Sequence, residues 1–125
     1  MPPQPSPTLT DREAEIMEQL WTLGTATAEE IRHRLSDEPH DSTVRTMLRI
    51  LETKGFVSHK RSGRSYVYKP LIKREKVQGK TLTDVIRQFF SGSPHELVLR
   101  LLEEEQLSVD ELDDLMNQFQ QGRKK

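Results

Sequence analysis

A mainly α fold with one small β-hairpin is predicted for this chain by three observations. Apolar residues recur at helical spacing through most of its 125 residues. Pairs of the form T-x-x-E and S-x-x-E stand just before several of those segments, where they can cap a helix start. Between residues 56 and 70 the helical period gives way to two short apolar and aromatic runs around a polar, glycine-containing turn.

The elements follow in order. MPPQPSP carries neither a charged n-region nor an apolar core, so it is not a secretory signal, and residues 1–8 read as a disordered Pro-rich tail. Thr10 and Glu13 form a capping box ahead of a stripe of Ile16, Met17, Leu20 and Trp21, and Gly24 ends that helix. Thr27 with Glu30 opens a second, shorter helix whose stripe is Ala28, Ile31 and Leu35. SDEPHD is an acidic, turn-rich break. A third helix runs from Ser42 or Thr43 to Thr53 and is stopped by Gly55. Phe56, Val57 and Ser58 then lead into a polar turn, Lys60–Arg64 with Gly63, and Tyr66-Val67-Tyr68 returns before Pro70 as the second strand of a hairpin. Three helices followed by a basic hairpin is the layout of a winged helix-turn-helix, assigned to residues 9–70.

Residues 71–125 read as helices only. One runs from about Lys73 to Phe90, with Val77, Leu82, Val85, Ile86, Phe89 and Phe90 apolar and Gly79 in its first half. Ser93 as cap, Pro94 at the first helical position and Glu96 start the next, with the stripe Leu97, Val98, Leu101, Leu102. Ser108 and Glu111 box the last, which is expected to bury Leu112, Leu115, Met116 and Phe119.

Composition bounds the function. The chain has no Cys, which excludes disulfides and thiolate metal sites. No apolar run approaches the ~20 residues of a membrane span, so a soluble, cytoplasmic protein is expected. Only 33% of residues are hydrophobic and 31% are charged, which suits a modest core that needs a partner chain. The net charge of −1 hides a dipole: residues 41–76 hold ten cations against three anions, residues 94–121 one cation against eight anions.

That basic half contains the candidate site. At 100° per residue, Val44, Met47, Leu48 and Leu51 fall on one side of the third helix and Ser42, Arg45, Thr46, Arg49 and Thr53 on the other. Arg pairs bidentately with guanine O6 and N7, Thr and Ser offer hydroxyls and methyls, and an α-helix fits the major groove. An exposed Arg/Thr face alone is an ordinary solvated surface. The cationic loop that follows it (Lys60, Arg61, Arg64) tips the reading toward double-stranded DNA, with the loop as a wing on flanking phosphates.

The segments LTDREAEIMEQLW, STVRTMLRILETKGFV, YVYKP and FFSGSPHELVLRLLEEEQLSVDELDDL resemble the penicillinase-repressor family of winged-helix transcriptional regulators, from Leu9 to Phe119. The resemblance implies a homodimer on palindromic operator DNA. It also implies base reading by Thr43, Arg45, Thr46 and Arg49, and a dimerisation region comprising residues 71–125, here Val85, Ile86, Phe89, Leu97, Val98, Leu101, Leu102, Leu112, Leu115 and Phe119. Relatives that answer β-lactams are cleaved at an Asn-Phe bond in the dimerisation helix, which implies a sensor or protease as a further partner. Arg100-Leu101 stands at the matching place, and the Cys-rich terminus of copper-responsive relatives has no counterpart.

Other residues read blandly. Trp21 is core; His33, His40, His59 and His95 lack metal-ligand spacing, so no metal or cofactor is expected. Glu103–Glu105 is a solubilising face, and with no phosphate loop or Ser/His/Asp set an enzyme is not expected. The rival reading is a winged-helix protein-interaction module in a larger complex. It calls for an apolar or mixed face where Arg45, Thr46 and Arg49 stand.

Overall fold

The computed structural model describes residues 9–123, so the expected Pro-rich tail lies outside the described residues. Its elements are α1 Asp11–Leu23, β1 Ala26–Thr27, α2 Ala28–Arg34, α3 Asp41–Thr53, β2 Val57–Ser62, β3 Ser65–Pro70, α4 Arg74–Phe89, α5 Pro94–Glu103 and α6 Val109–Arg123. This is the mainly α, winged-helix arrangement that the sequence predicts.

Side-chain caps set the helix starts. Thr10 Oγ1 accepts from the Glu13 amide at 3.2 Å while the Glu13 carboxylate accepts from the Thr10 amide at 2.8 Å. The same reciprocal box closes at Thr27/Glu30 and at Ser108/Glu111, and Ser93 caps α5 with Pro94 in its first turn. Each satisfies amides that the first helical turn leaves without a carbonyl. Helix α3 begins at Asp41, ahead of the expected start and without a side-chain cap. An acidic residue in the first turn suits the positive end of the helix dipole, so Asp41 belongs to the helix and not to the break before it.

Two corrections concern the sheet. It has three antiparallel strands in the order β1-β3-β2, and β1 was not anticipated: Ala26 pairs with Tyr68 and Thr27 with Val67. The hairpin register runs from Val57↔Pro70 to Ser62↔Ser65, so the turn is only Gly63-Arg64, and Lys60 and Arg61 lie on β2. Gly63 at φ 62° takes the left-handed conformation that a two-residue hairpin turn needs at its first position.

The chain divides into two units within α4, after Gly79, whereas the order of elements in the sequence put the boundary at 70/71. In the first unit Ile16, Met17, Leu20, Ile31, Val44, Leu48, Leu51, Phe56 and Val57 form a continuous buried core, each contributing roughly 1.5–3 kcal/mol. Trp21, read as core, is half-buried. It packs on this cluster, and its indole N–H donates to the Ile72 carbonyl at 2.9 Å with the Arg74 guanidinium 5.6 Å from the ring centre. Arg74 also donates to Glu18 at 2.7 Å, so the first turn of α4 is tied to α1.

Glu13 has a second role that the capping box did not reveal. Its carboxylate is buried, and Lys54 Nζ donates to both oxygens at 2.8 and 3.0 Å. Burial pushes the Glu13 carboxyl up, but the Lys54 and Thr10 hydrogen bonds outweigh it and hold the pKa below the usual carboxylate range. A lowered folded pKa gives stability that is complete above the unfolded value and is lost as pH falls toward the folded one. Glu13→Ala is expected to cost about 2 kcal/mol in urea unfolding at neutral pH, the scale of hydrogen bonds to a charged group. That difference from the parent chain should shrink as both are titrated through the acid range; a pH-independent difference would assign the loss to packing.

In the second unit, described over residues 80–123, α4 to α6 contribute no buried residue. The expected burial in α6 does not occur within the chain: Leu112 is half-buried, and Leu115, Met116 and Phe119 are exposed. Among the described residues no helix is long and apolar enough to cross a membrane.

Candidate nucleic-acid interface

Helix α3 is divided as its spacing requires. Val44, Leu48 and Leu51 are fully buried and Met47 half-buried, while Ser42, Thr43, Arg45, Thr46, Arg49, Ile50 and Thr53 are exposed. Within that exposed face Arg45 Nε lies 3.0 Å from Asp41 Oδ2, an i,i+4 pair, and Thr53 Oγ1 donates to the Arg49 carbonyl at 3.1 Å. Arg49 has no carboxylate in ion-pair range among the described residues, nor do Lys60 and Arg64 on the hairpin.

Arg45, Arg49 and Glu52 of α3, His59, Arg64, Ser65, Tyr66 and Tyr68 of the hairpin, and the start of α2 together line one open trough. The structure therefore brings the two candidate arginines of α3 together with Arg64. Residues directly opposite in an antiparallel pair share a face, so Arg61, paired with Tyr66, sits on the His59/Tyr68 side of the hairpin. Lys60, paired with Val67, sits on the other side, and the three wing cations are not one cluster.

Of the residues that line the trough, only Arg45, Arg49 and Arg64 were singled out from sequence as site residues. His59 places Nδ1 2.7 Å from Glu52 Oε1, an arrangement in which the imidazole N–H meets the carboxylate. Its ring packs against Tyr66 and Tyr68, at 4.7 and 5.4 Å between centroids. The arrangement partners Glu52, the one carboxylate of α3 that lines the trough. Tyr68 is itself mostly buried; desolvation, then the Glu52 charge, raises its pKa and keeps it a neutral phenol. The signal available beforehand was the two-residue parity of H-x-x-x-x-x-x-Y-x-Y about Gly63. Among the described residues no group of His, Asp or Glu is placed to hold a metal ion.

Residues 9–121 match the family model described as penicillinase repressor. The chain belongs to the penicillinase repressor family. Its relatives in that family include the methicillin resistance regulatory protein MecI of Mammaliicoccus sciuri, 31% identical over 87% of this chain and 90% of MecI. Another is the penicillinase repressor of Bacillus licheniformis, 32% identical over 87% of each chain. Among solved structures, the DNA-binding domain of the repressor BlaI is 32% identical and covers 57% of this chain and 89% of its own, with a TM-score of 0.50. The oxidised form of MarR from E. coli, 17% identical with a TM-score of 0.52, covers 90% of this chain and 74% of its own; it is alike in fold alone. The penicillinase repressor match spans both units, trough and helical region alike.

Proposed function

We propose that this chain is a sequence-specific, DNA-binding transcriptional repressor, not an enzyme, that acts as a homodimer on a palindromic operator. The observation that carries the reading is the trough: Arg45 and Arg49 on the exposed face of α3 and Arg64 on the hairpin line one channel. Relatives matched along almost their whole length are named as repressors or regulators. In the proposed complex α3 enters the major groove, where Ser42, Thr43, Arg45, Thr46 and Arg49 meet base edges and near phosphates, and the wing meets the flanking backbone. An interaction module would not need paired arginines flanked by hydroxyls on this face.

In vitro selection of bound duplexes tests this. The expected result is a dyad with half-sites about one DNA turn, ~10 bp, apart; absence of any enriched motif would overturn it. The wing is checked by salt dependence. Each phosphate contact contributes about 0.9 to the slope of log K against log salt, so Arg61→Ala with Arg64→Ala is expected to flatten it by about 2. Lys60→Ala, on the opposite side of the hairpin, is expected to change it less, and an unchanged slope in the double variant removes the wing from the interface.

The dimer is proposed to form through apolar side chains of α4 to α6 that the chain leaves half-buried (Val85, Ile86, Leu97, Val98, Leu101, Leu102, Leu112) or exposed (Phe89, Leu115, Phe119). Release by a sensor or protease acting at Arg100-Leu101 would have to open a helix, since both residues lie inside α5. Arg100 is exposed there, with Glu103 and Glu104 each 3.7 Å away.

A further inference from the structure

The exposed face of α3 carries two ridges of different chemistry. One is cationic, Arg45 and Arg49, and lines the trough toward the hairpin. The other is Thr43, Thr46, Ile50 and Thr53, at i, i+3, i+7 and i+10, all exposed. Every member of this second ridge carries a methyl group. None lines the trough, and Ile50, 40% exposed, is the one large aliphatic side chain on α3 that the protein's own fold leaves uncovered. Thr53 donates its hydroxyl proton to the Arg49 carbonyl, which leaves its methyl and the acceptor side of its oxygen for a partner.

On this ridge the threonine hydroxyls can meet water or phosphate, but the exposed Ile50 side chain can make no polar contact with either. It suits the one apolar group that DNA offers in its major groove, the C5-methyl of thymine. With a rise of 1.5 Å per residue, Thr43 to Ile50 extends about 10 Å, or about three base-pair steps of 3.4 Å. We propose that the Thr43–Thr46–Ile50 ridge reads thymine methyls in each half-site, with Ile50 as a specificity-determining residue, while Arg45 and Arg49 read neighbouring bases. The inference rests on the DNA-binding reading above and deepens it: the ridge assigns apolar readout to a stretch that arginine pairing leaves undetermined.

The test uses the full chain and the selected operator duplex, synthesised with thymine or with deoxyuridine at each half-site position in turn. Deoxyuridine keeps every hydrogen-bonding group and removes only the methyl. At one or more positions the replacement is expected to weaken binding about three- to five-fold, the scale of one buried methyl-sized group. In Ile50→Ser the penalty is expected to vanish at the position that Ile50 reads and to persist at any read by Thr43 or Thr46, and Ile50→Val should keep part of it. Ile50 is exposed, so both variants should melt with the parent chain. Deoxyuridine that is neutral everywhere, or a penalty that persists undiminished at every sensitive position in Ile50→Ser, would overturn the proposal while leaving operator preference over scrambled duplex intact. Loss of that preference in the parent chain would instead bring down the DNA-binding reading itself.

Discussion

Replacing Arg49 by Ala will lower affinity for the selected operator by about 5- to 150-fold, equivalent to ~1–3 kcal/mol, and will leave scrambled duplex nearly unchanged. The side chain is exposed, on the face of α3 opposite Val44, Leu48 and Leu51, so its removal should not disturb folding. It has no carboxylate partner to give up among the described residues, so its whole gain on binding DNA is available for discrimination. Arg45 differs. It must first leave Asp41, 3.0 Å away, and that exchange offsets part of what a guanine contact gains. Arg45→Ala is therefore expected to cost less than Arg49→Ala, and Asp41→Ala to tighten operator binding modestly. Titrations on cognate and scrambled duplexes check all three. Equal losses on both duplexes would make the arginines phosphate contacts and return base reading to other residues.

What was legible in the sequence was local. The capping boxes at Thr10, Thr27 and Ser108 and the Ser93 cap pair a side chain with a backbone amide three residues away, so a short window contains both partners. The two faces of α3 were legible for the same reason, because helical period is a property of neighbours. Strand β1 was not, since Ala26 is a strand residue only through Tyr68, far along the chain. Nor was the Glu13–Lys54 pair, which joins α1 to the end of α3, or the pairing of His59 with Glu52. The turn was misjudged by length: a polar run from Lys60 to Arg64 looks like loop, but cross-strand pairing keeps Lys60 and Arg61 on β2 and thereby puts them on opposite sides. In α6 the apolar stripe was read correctly as a stripe and wrongly as buried, because periodicity states which residues share a face and not what covers it.

Cutting the chain after Gly79 will weaken operator binding by ~10²–10⁴-fold, the largest effect expected here. The fragment retains every residue of the buried core, together with the Trp21–Ile72 and Arg74–Glu18 contacts that a shorter cut at Pro70 would remove. It should therefore fold and keep the trough. What it loses is the second unit, whose helices bury nothing of their own. Phe89 is 74% exposed, Phe119 63% and Leu115 50%, values that a lone chain would hold only at the expense of a large apolar surface in water. A unit of this size cannot enclose a core unaided, and in the proposed dimer a second copy of the same helices would supply the missing surface by two-fold symmetry. Once two winged units are joined, the second half-site is met at a local concentration set by the linkage and not by the solution, which is the source of the expected factor. Sedimentation of the full chain at micromolar concentration should give a dimer, and Phe89→Glu with Leu101→Glu should give a monomer that binds like the fragment. A full-length monomer, or a fragment that binds the operator as tightly as the whole chain, would remove the second unit from repression and leave its exposed apolar side chains to another partner.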